Sequence, residues 1–154
     1  MHVPWYRVAL ASTVTVCAGF LALQEALADW QYTRWGMSKA QVVEASEGLA
    51  VDHDVRKRET WGIYADLAAP FRFGKYSYRA FFYFDEDSGE LTAVRLDPAA
   101  DVWCPDVART LMLRHGSNQQ MLDGYFIWSD SSANSKISLS GFSTCRIKYE
   151  PLQK

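Results

Sequence analysis

The sequence predicts an α+β protein, two tandem helix-plus-three-strand units forming one antiparallel sheet with both helices on one face. Each half holds one segment with the residues of a helix start, at Ser38 and at Pro105, and a glycine, Gly48 or Gly116, to end it. Each of these is followed by runs with period-two alternation, broken by polar turns. Cys104 and Cys145 then fall where a bond between them ties the second helix to the last strand. The composition agrees with a packed domain: 49% of the 154 residues are apolar, 22% charged and 14% aromatic, which excludes a disordered chain. A net charge of −2 carries no basic excess, so a nucleic-acid partner is not expected.

In chain order, residues 1–28 read as a secretory signal peptide. Arg7 supplies the positive start. The uncharged, mostly apolar run 8–23 is 16 residues long, short of the ~20 that a membrane span needs. Ala26-Leu27-Ala28 gives the small-x-small cleavage pattern, which places maturation between Ala28 and Asp29 and leaves membrane contact only during export. An uncleaved anchor is the competing reading. A lipoprotein fits less well, because Val14-Thr15-Val16 precedes Cys17 where a lipobox wants leucine and small residues. The mature net charge stays at −2, since Arg7 and Glu25 leave together. The location expected is therefore periplasmic or secreted.

The first unit, 29–98, opens its helix at Ser38, with Gln41 completing a capping box and Met37 and Val42 closing a hydrophobic staple. The polar stretch 51–59 reads as a connection. Trp61, Ile63 and Ala65 then alternate with Gly62, Tyr64 and Asp66 as a strand. A long aromatic strand at 76–84, a polar turn at 85–89 and a strand at 91–97 complete the unit. The second unit, 99–154, has Pro105 at the first helical position, Asp106 against the positive helix end, and Gly116 as the stop. Strands are expected at 125–129, 136–140 and 144–149. On the last of them Cys145, Ile147 and Tyr149 share one face, and Thr144, Arg146 and Lys148 the other. In an exported chain the pair Cys104 and Cys145 reads as a disulfide. The closed loop of about 42 residues is worth about 4 kcal/mol in the chain-entropy model. Trp103-Cys104-Pro105 also resembles the start of a redox site, but Val107 stands where a resolving cysteine is needed.

Trp35-Gly36-Met37-Ser38-Lys39-Ala40-Gln41-Val42 resembles the Gly-Met-Thr-x-x-Gln-Val entry of the SmpA/OmlA (BamE-like) envelope proteins. The duplicated helix-plus-sheet order is similar to the β-lactamase-inhibitory-protein fold. The sequence departs from the family pattern in lacking its lipidated cysteine and in carrying Ser46-Glu47-Gly48 where Leu-Gly-x-Pro often closes the first helix. The resemblance implies an exported protein-binding scaffold and names no partner.

Chemistry-bearing motifs are sparse. Asp52-His53-Asp54 lacks a second histidine at ligand spacing, and Arg56-Lys57-Arg58 beside it repels a cation, so it reads as solvated linker and no metal is expected. The basic triplet itself reads as a solvated loop, with contact to an anionic envelope component as the competitor. His115 reads as a helix-terminal residue complementing the macrodipole rather than a catalytic one. A calcium loop starting at Asp85 fails, because Glu90 and Leu96 occupy its required glycine and glutamate positions. No nucleophile elbow, phosphate loop or dinucleotide fingerprint occurs, so no cofactor is expected.

The binding surface is expected on the face of the sheet away from the helices. Along the long strand Tyr76, Tyr78, Ala80, Phe82 and Phe84 turn toward the helices, leaving Lys75, Ser77, Arg79, Phe81 and Tyr83 on the other side. Arg95, Arg146, Lys148 and Tyr64 join that side, and aromatic residues with arginine are the composition of interface hot spots. Cover of Phe81 and Tyr83 by the loop 68–74, with Phe71 and Phe73, is the alternative. Trp128 with Asp130 is a weaker candidate. The function expected is non-catalytic binding of another envelope or secreted protein. Two other readings stay open: a small envelope enzyme or ligand-binding protein, for which a polar pocket holding His53 or His115 with carboxylates is the mark, and a purely structural domain.

Overall fold

The computed structural model describes residues 29–58, 63–117, 120–122, 125–140 and 144–152. The expected signal peptide lies outside them. The elements run α1 (Lys39–Ala45), β1 (Val51–Arg58), β2 (Ile63–Phe73), β3 (Tyr76–Asp85), β4 (Leu91–Pro98), α2 (Cys104–His115), β5 (Gln120–Leu122), β6 (Tyr125–Asp130), β7 (Ser135–Ser140) and β8 (Ile147–Pro151). All eight strands form one antiparallel sheet in the order β1-β2-β3-β4-β8-β7-β6-β5.

This corrects the expected fold. The molecule is mostly sheet, and each helix is followed by four strands rather than three. The two four-strand meanders join where β4 pairs with β8, so both run from an outer edge to the centre of the sheet. The additional strands are the two edges. β1 was expected as a polar connection, because Asp52, Asp54, Arg56, Lys57 and Arg58 make it look solvated. Charged residues are what an edge strand carries to discourage pairing with a further chain. β5 has only three residues, too few for any periodicity to register.

β2 also runs further than expected, continuing to Phe73 through most of the stretch 68–74 that the sequence suggests is a loop. A bulge between Ala65 and Leu67 resets its alternation, which hides the period. Pro70 is tolerated because β1 pairs with β2 only as far as Ala68, leaving β2 an edge beyond that point. The hairpin into β3 turns at Gly74, whose φ of 59° suits glycine.

Helix α1 is short and held by its start. The Ser38 amide donates to Gln41 Oε1 at 2.8 Å, and the Gln41 amide donates to Ser38 Oγ at 3.4 Å, closing the capping box. Past its end, Ser46 Oγ donates to the Val43 carbonyl and accepts from the Ala50 amide. The β3–β4 turn is organised by Asp85 Oδ1, which accepts the amides of Asp87 and Ser88.

Val42 from α1 and Val107, Ala108 and Leu111 from α2 enter one core with Phe82, Val94, Leu96, Trp128, Ile137 and Ile147 from the sheet. Trp30 sits in the same core, within ring contact of Tyr32, Phe71, Phe82 and Tyr149. Cys104 and Cys145 are bonded, with Cα atoms 5.5 Å apart, and clamp the start of α2 to the residues leading into β8. A small second cluster, Ala65, Ala68, Phe81, Tyr83 and Ala93, lies on the other face of the sheet.

Candidate functional site

The register assembles most of the expected site. Arg95 on β4 stands opposite Phe81 on β3 and Lys148 on β8, and Asp97 stands opposite Arg79. Arg146 reaches the same Asp97 carboxylate at 3.6 Å. Arg79, Arg95 and Arg146 are thus gathered around one aspartate on the face away from the helices. Tyr64 pairs with Phe84 and Arg58, not with Phe81 or Tyr83, and its side chain lies outside the described residues.

The aromatic half of the expectation is corrected. Phe81 is only 4% exposed and Tyr83 is fully buried, so neither is a contact surface. They do not lie open because Ala65, Ala68 and Ala93 on the flanking strands let the rings settle against the sheet. The His53 ring from β1 packs edge-on against Phe81 with centroids 5.0 Å apart. The guanidiniums complete the cover: Arg95 lies 5.1 Å from the Tyr83 ring centre and 5.7 Å from that of Phe81, and Arg79 lies 5.8 Å from Phe81. Each such contact is worth about 0.5–2 kcal/mol, and it fixes the arginine in place. The rings are the floor beneath the arginines, and what reaches solvent is cationic.

The arginines differ in what they have left to give. Arg95 is spent on Asp97, donating from Nε at 2.7 Å and from Nη2 at 3.3 Å, and is mostly buried. Arg146 is half exposed and contacts Asp97 beyond hydrogen-bond range. Arg79 is exposed and makes no ion pair among the described residues. Further along the face Lys148 and Lys136 bracket Glu150 at 3.0 and 3.4 Å. Burial pushes the Glu150 carboxyl up, but the two ammonium groups outweigh it and hold it below its ordinary range. The strand register and the Arg146–Asp97 contact place the cations Arg79, Arg95, Lys136, Arg146 and Lys148 on this sheet face together with the carboxylates Asp97 and Glu150. A protein with a net charge of −2 therefore presents one locally positive surface.

Two cavities lie elsewhere. One, of about 190 Å³, is lined by Asp29, Trp30, Arg114, His115, Asp130 and Tyr149 among others. Here His115 Nδ1 is 2.9 Å from Asp130 Oδ2, joining the end of α2 to β6, and Trp128 Nε1 donates to the Gly116 carbonyl at 3.0 Å beside it. The helix-terminal histidine thus has a carboxylate partner that its sequence neighbourhood did not reveal. The Asp130 carboxyl is held below its usual range, first by the Ser132 hydroxyl at 2.6 Å and also by the Ala133 amide and His115, against burial that raises it. With the folded pKa below the unfolded value of about 4, this stabilises the fold at neutral pH and is lost as pH falls through that range. Asp130→Asn is accordingly expected to flatten the loss of stability on acidification, read as urea midpoints at pH 7 and pH 3; an unchanged acid limb would remove Asp130 from this role. The second cavity, about 270 Å³, is the clasp in which Asp106 accepts from Lys75 Nζ at 2.8 Å and from the Tyr76 hydroxyl at 3.1 Å.

Asp52 pairs with Lys39 at 2.7 Å while His53 turns onto Phe81, and the Asp54 side chain lies outside the described residues. Among the described residues no three His, Cys, Asp or Glu groups come together as a metal site, and no helix is long and apolar enough to cross a membrane. Comparison with protein-family models, curated proteins and solved structures finds no match to this chain.

Proposed function

We propose that this protein is an exported, non-catalytic protein-binding module of the bacterial cell envelope, either an assembly accessory or an inhibitor of a secreted enzyme. The observation that carries the reading is the sheet face away from the helices, where Arg79 lies over the Phe81 ring and Arg146 stands beside the Asp97 carboxylate that Arg95 holds. Arginine held in this way loses little freedom when it pairs with a partner's carboxylate, which favours it at interface hot spots. Export is supported by the Cys104–Cys145 bond, which persists in oxidising compartments. Trp30, the second residue of the chain after the proposed cleavage between Ala28 and Asp29, is buried.

A cross-linked pull-down from intact cells, comparing wild type with Arg79→Glu, Arg146→Glu, tests this. Wild type is expected to capture a discrete protein that the variant loses. The buried Phe81 and Tyr83 are unsuitable targets, because replacing them disturbs the fold. A second reading, a small periplasmic enzyme or ligand-binding protein, is favoured by the His115–Asp130 pair lining a cavity. It predicts the opposite pattern, with His115→Ala abolishing function and the arginine variant behaving as wild type.

A further inference from the structure

Beside the arginines lies a feature that the charge pattern alone does not explain. A shallow groove of about 320 Å³ opens where β1, β2 and β3 meet, lined by Val51, Ala68, Pro70 and Ala99, with Arg79 as its charged wall. Val51 pairs with Ala68 and Pro70 with Arg79, so the groove belongs to the same sheet face as the arginine cluster. Val51, the first residue of the edge strand β1, is 54% exposed, and Pro70 is exposed nearby. One wall of an apolar slot is thus a guanidinium that stacks on Phe81, makes no ion pair among the described residues, and keeps its donors for a ligand.

We propose that this groove takes the apolar side chain of an acidic loop on the partner protein, with a neighbouring carboxylate of that loop paired to Arg79 and a second able to reach Arg146. The inference rests on the binding-module reading and specifies the chemistry of its partner. Charge complementarity selects the occupant: the slot is apolar, its charged wall is cationic, and the carboxylate that Arg146 reaches, Asp97, is already held by Arg95. A peptide is favoured over an anionic lipid surface because the cations alternate with Asp97 and Glu150, and the next strand presents Ser138 opposite Lys148, which together suit hydrogen bonding to a polypeptide rather than contact with a sheet of headgroups.

The test is a titration of the isotope-labelled mature protein, followed by amide chemical shifts. The probe is an acetylated, amidated tripeptide of glutamate, phenylalanine and glutamate. Its controls are the same tripeptide with glutamine at both ends and vesicles of anionic phospholipid. Shifts centred on Val51, Ala68, Arg79 and Ala99 are expected with the acidic probe. Binding should weaken by about tenfold or more for the glutamine version and for Arg79→Gln. Arg79→Gln changes an exposed side chain, and its amide spectrum reports directly that the fold is kept. Equal binding of both tripeptides, shifts centred elsewhere, no shifts at all, or binding of vesicles without the tripeptide would overturn the inference. The pull-down separates the two levels: if the tripeptide fails while charge reversal still releases the captured protein, the groove is wrong and the face stands. If charge reversal releases nothing, the face itself is wrong.

Discussion

Trp30→Ala is expected to cost about 3–5 kcal/mol of stability, the largest single-residue effect foreseen in this protein. Trp30 is 4% exposed and its ring meets Phe71 from β2, Phe82 from β3 and Tyr149 from β8, so one side chain ties both halves of the sheet. Its backbone is locked as well, with the Trp30 and Thr33 amides exchanging bonds and Thr33 Oγ1 donating to the Trp30 carbonyl at 2.9 Å. Removing the indole leaves a cavity that strands on both sides are too constrained to close. Trp103→Ala is the matched control, since that ring is 65% exposed and its loss is expected to fall within about 0.5 kcal/mol. Urea unfolding of the mature protein measures both. A cost under about 1 kcal/mol for Trp30→Ala would mean that the N-terminal segment is not part of the core.

Replacing both cysteines, as Cys104→Ala with Cys145→Ala, is expected to cost about 2–4 kcal/mol. The bond closes a separation of 41 residues, so its loss frees a long loop in the unfolded chain. It also removes the covalent tie of α2, which otherwise enters the core through Val107, Ala108 and Leu111. The Tyr78 hydroxyl donates to the Cys145 carbonyl at 3.2 Å and remains as a non-covalent tether, which limits the damage to this range. Unfolding with and without reductant gives the magnitude. Thiol labelling of the unreduced, unfolded protein is expected to find neither cysteine reactive, and labelling of both would contradict the bridge.

What could be read from the residues is what is specified locally. The capping box at Ser38 and Gln41 involves side chains three apart, and the alternation of β3 is written in its own ten residues. The cysteine pair was legible because reading residues 1–28 as a signal peptide leaves two thiols, whose expected fate in an exported chain is a disulfide. The third-strand-versus-fourth error came from the edges. β1 carries the charges of an edge strand, which by composition are those of a solvated loop, and β5 is too short to show a period. The same omission left Phe81 and Tyr83 among the residues expected at the surface. Alternation correctly separated Phe81 and Tyr83 from the helix-facing residues, yet their cover comes from His53 on the unseen β1 and from alanines on β2 and β4. Burial of that kind depends on register between strands and has no signature along one strand. The pairing of His115 with Asp130 is non-local in the same way.

The central claim is that the cationic face, not the helical side, meets the partner. Site-specific photo-cross-linking in intact cells tests it most directly, with the reactive group placed at Ser138 on the sheet face and, in a parallel strain, at Leu113, the 82% exposed residue on α2. The expected result is one discrete protein adduct from Ser138, lost on Arg79→Glu, Arg146→Glu, and none from Leu113. Adducts from Leu113 alone, or from neither position, would contradict the claim.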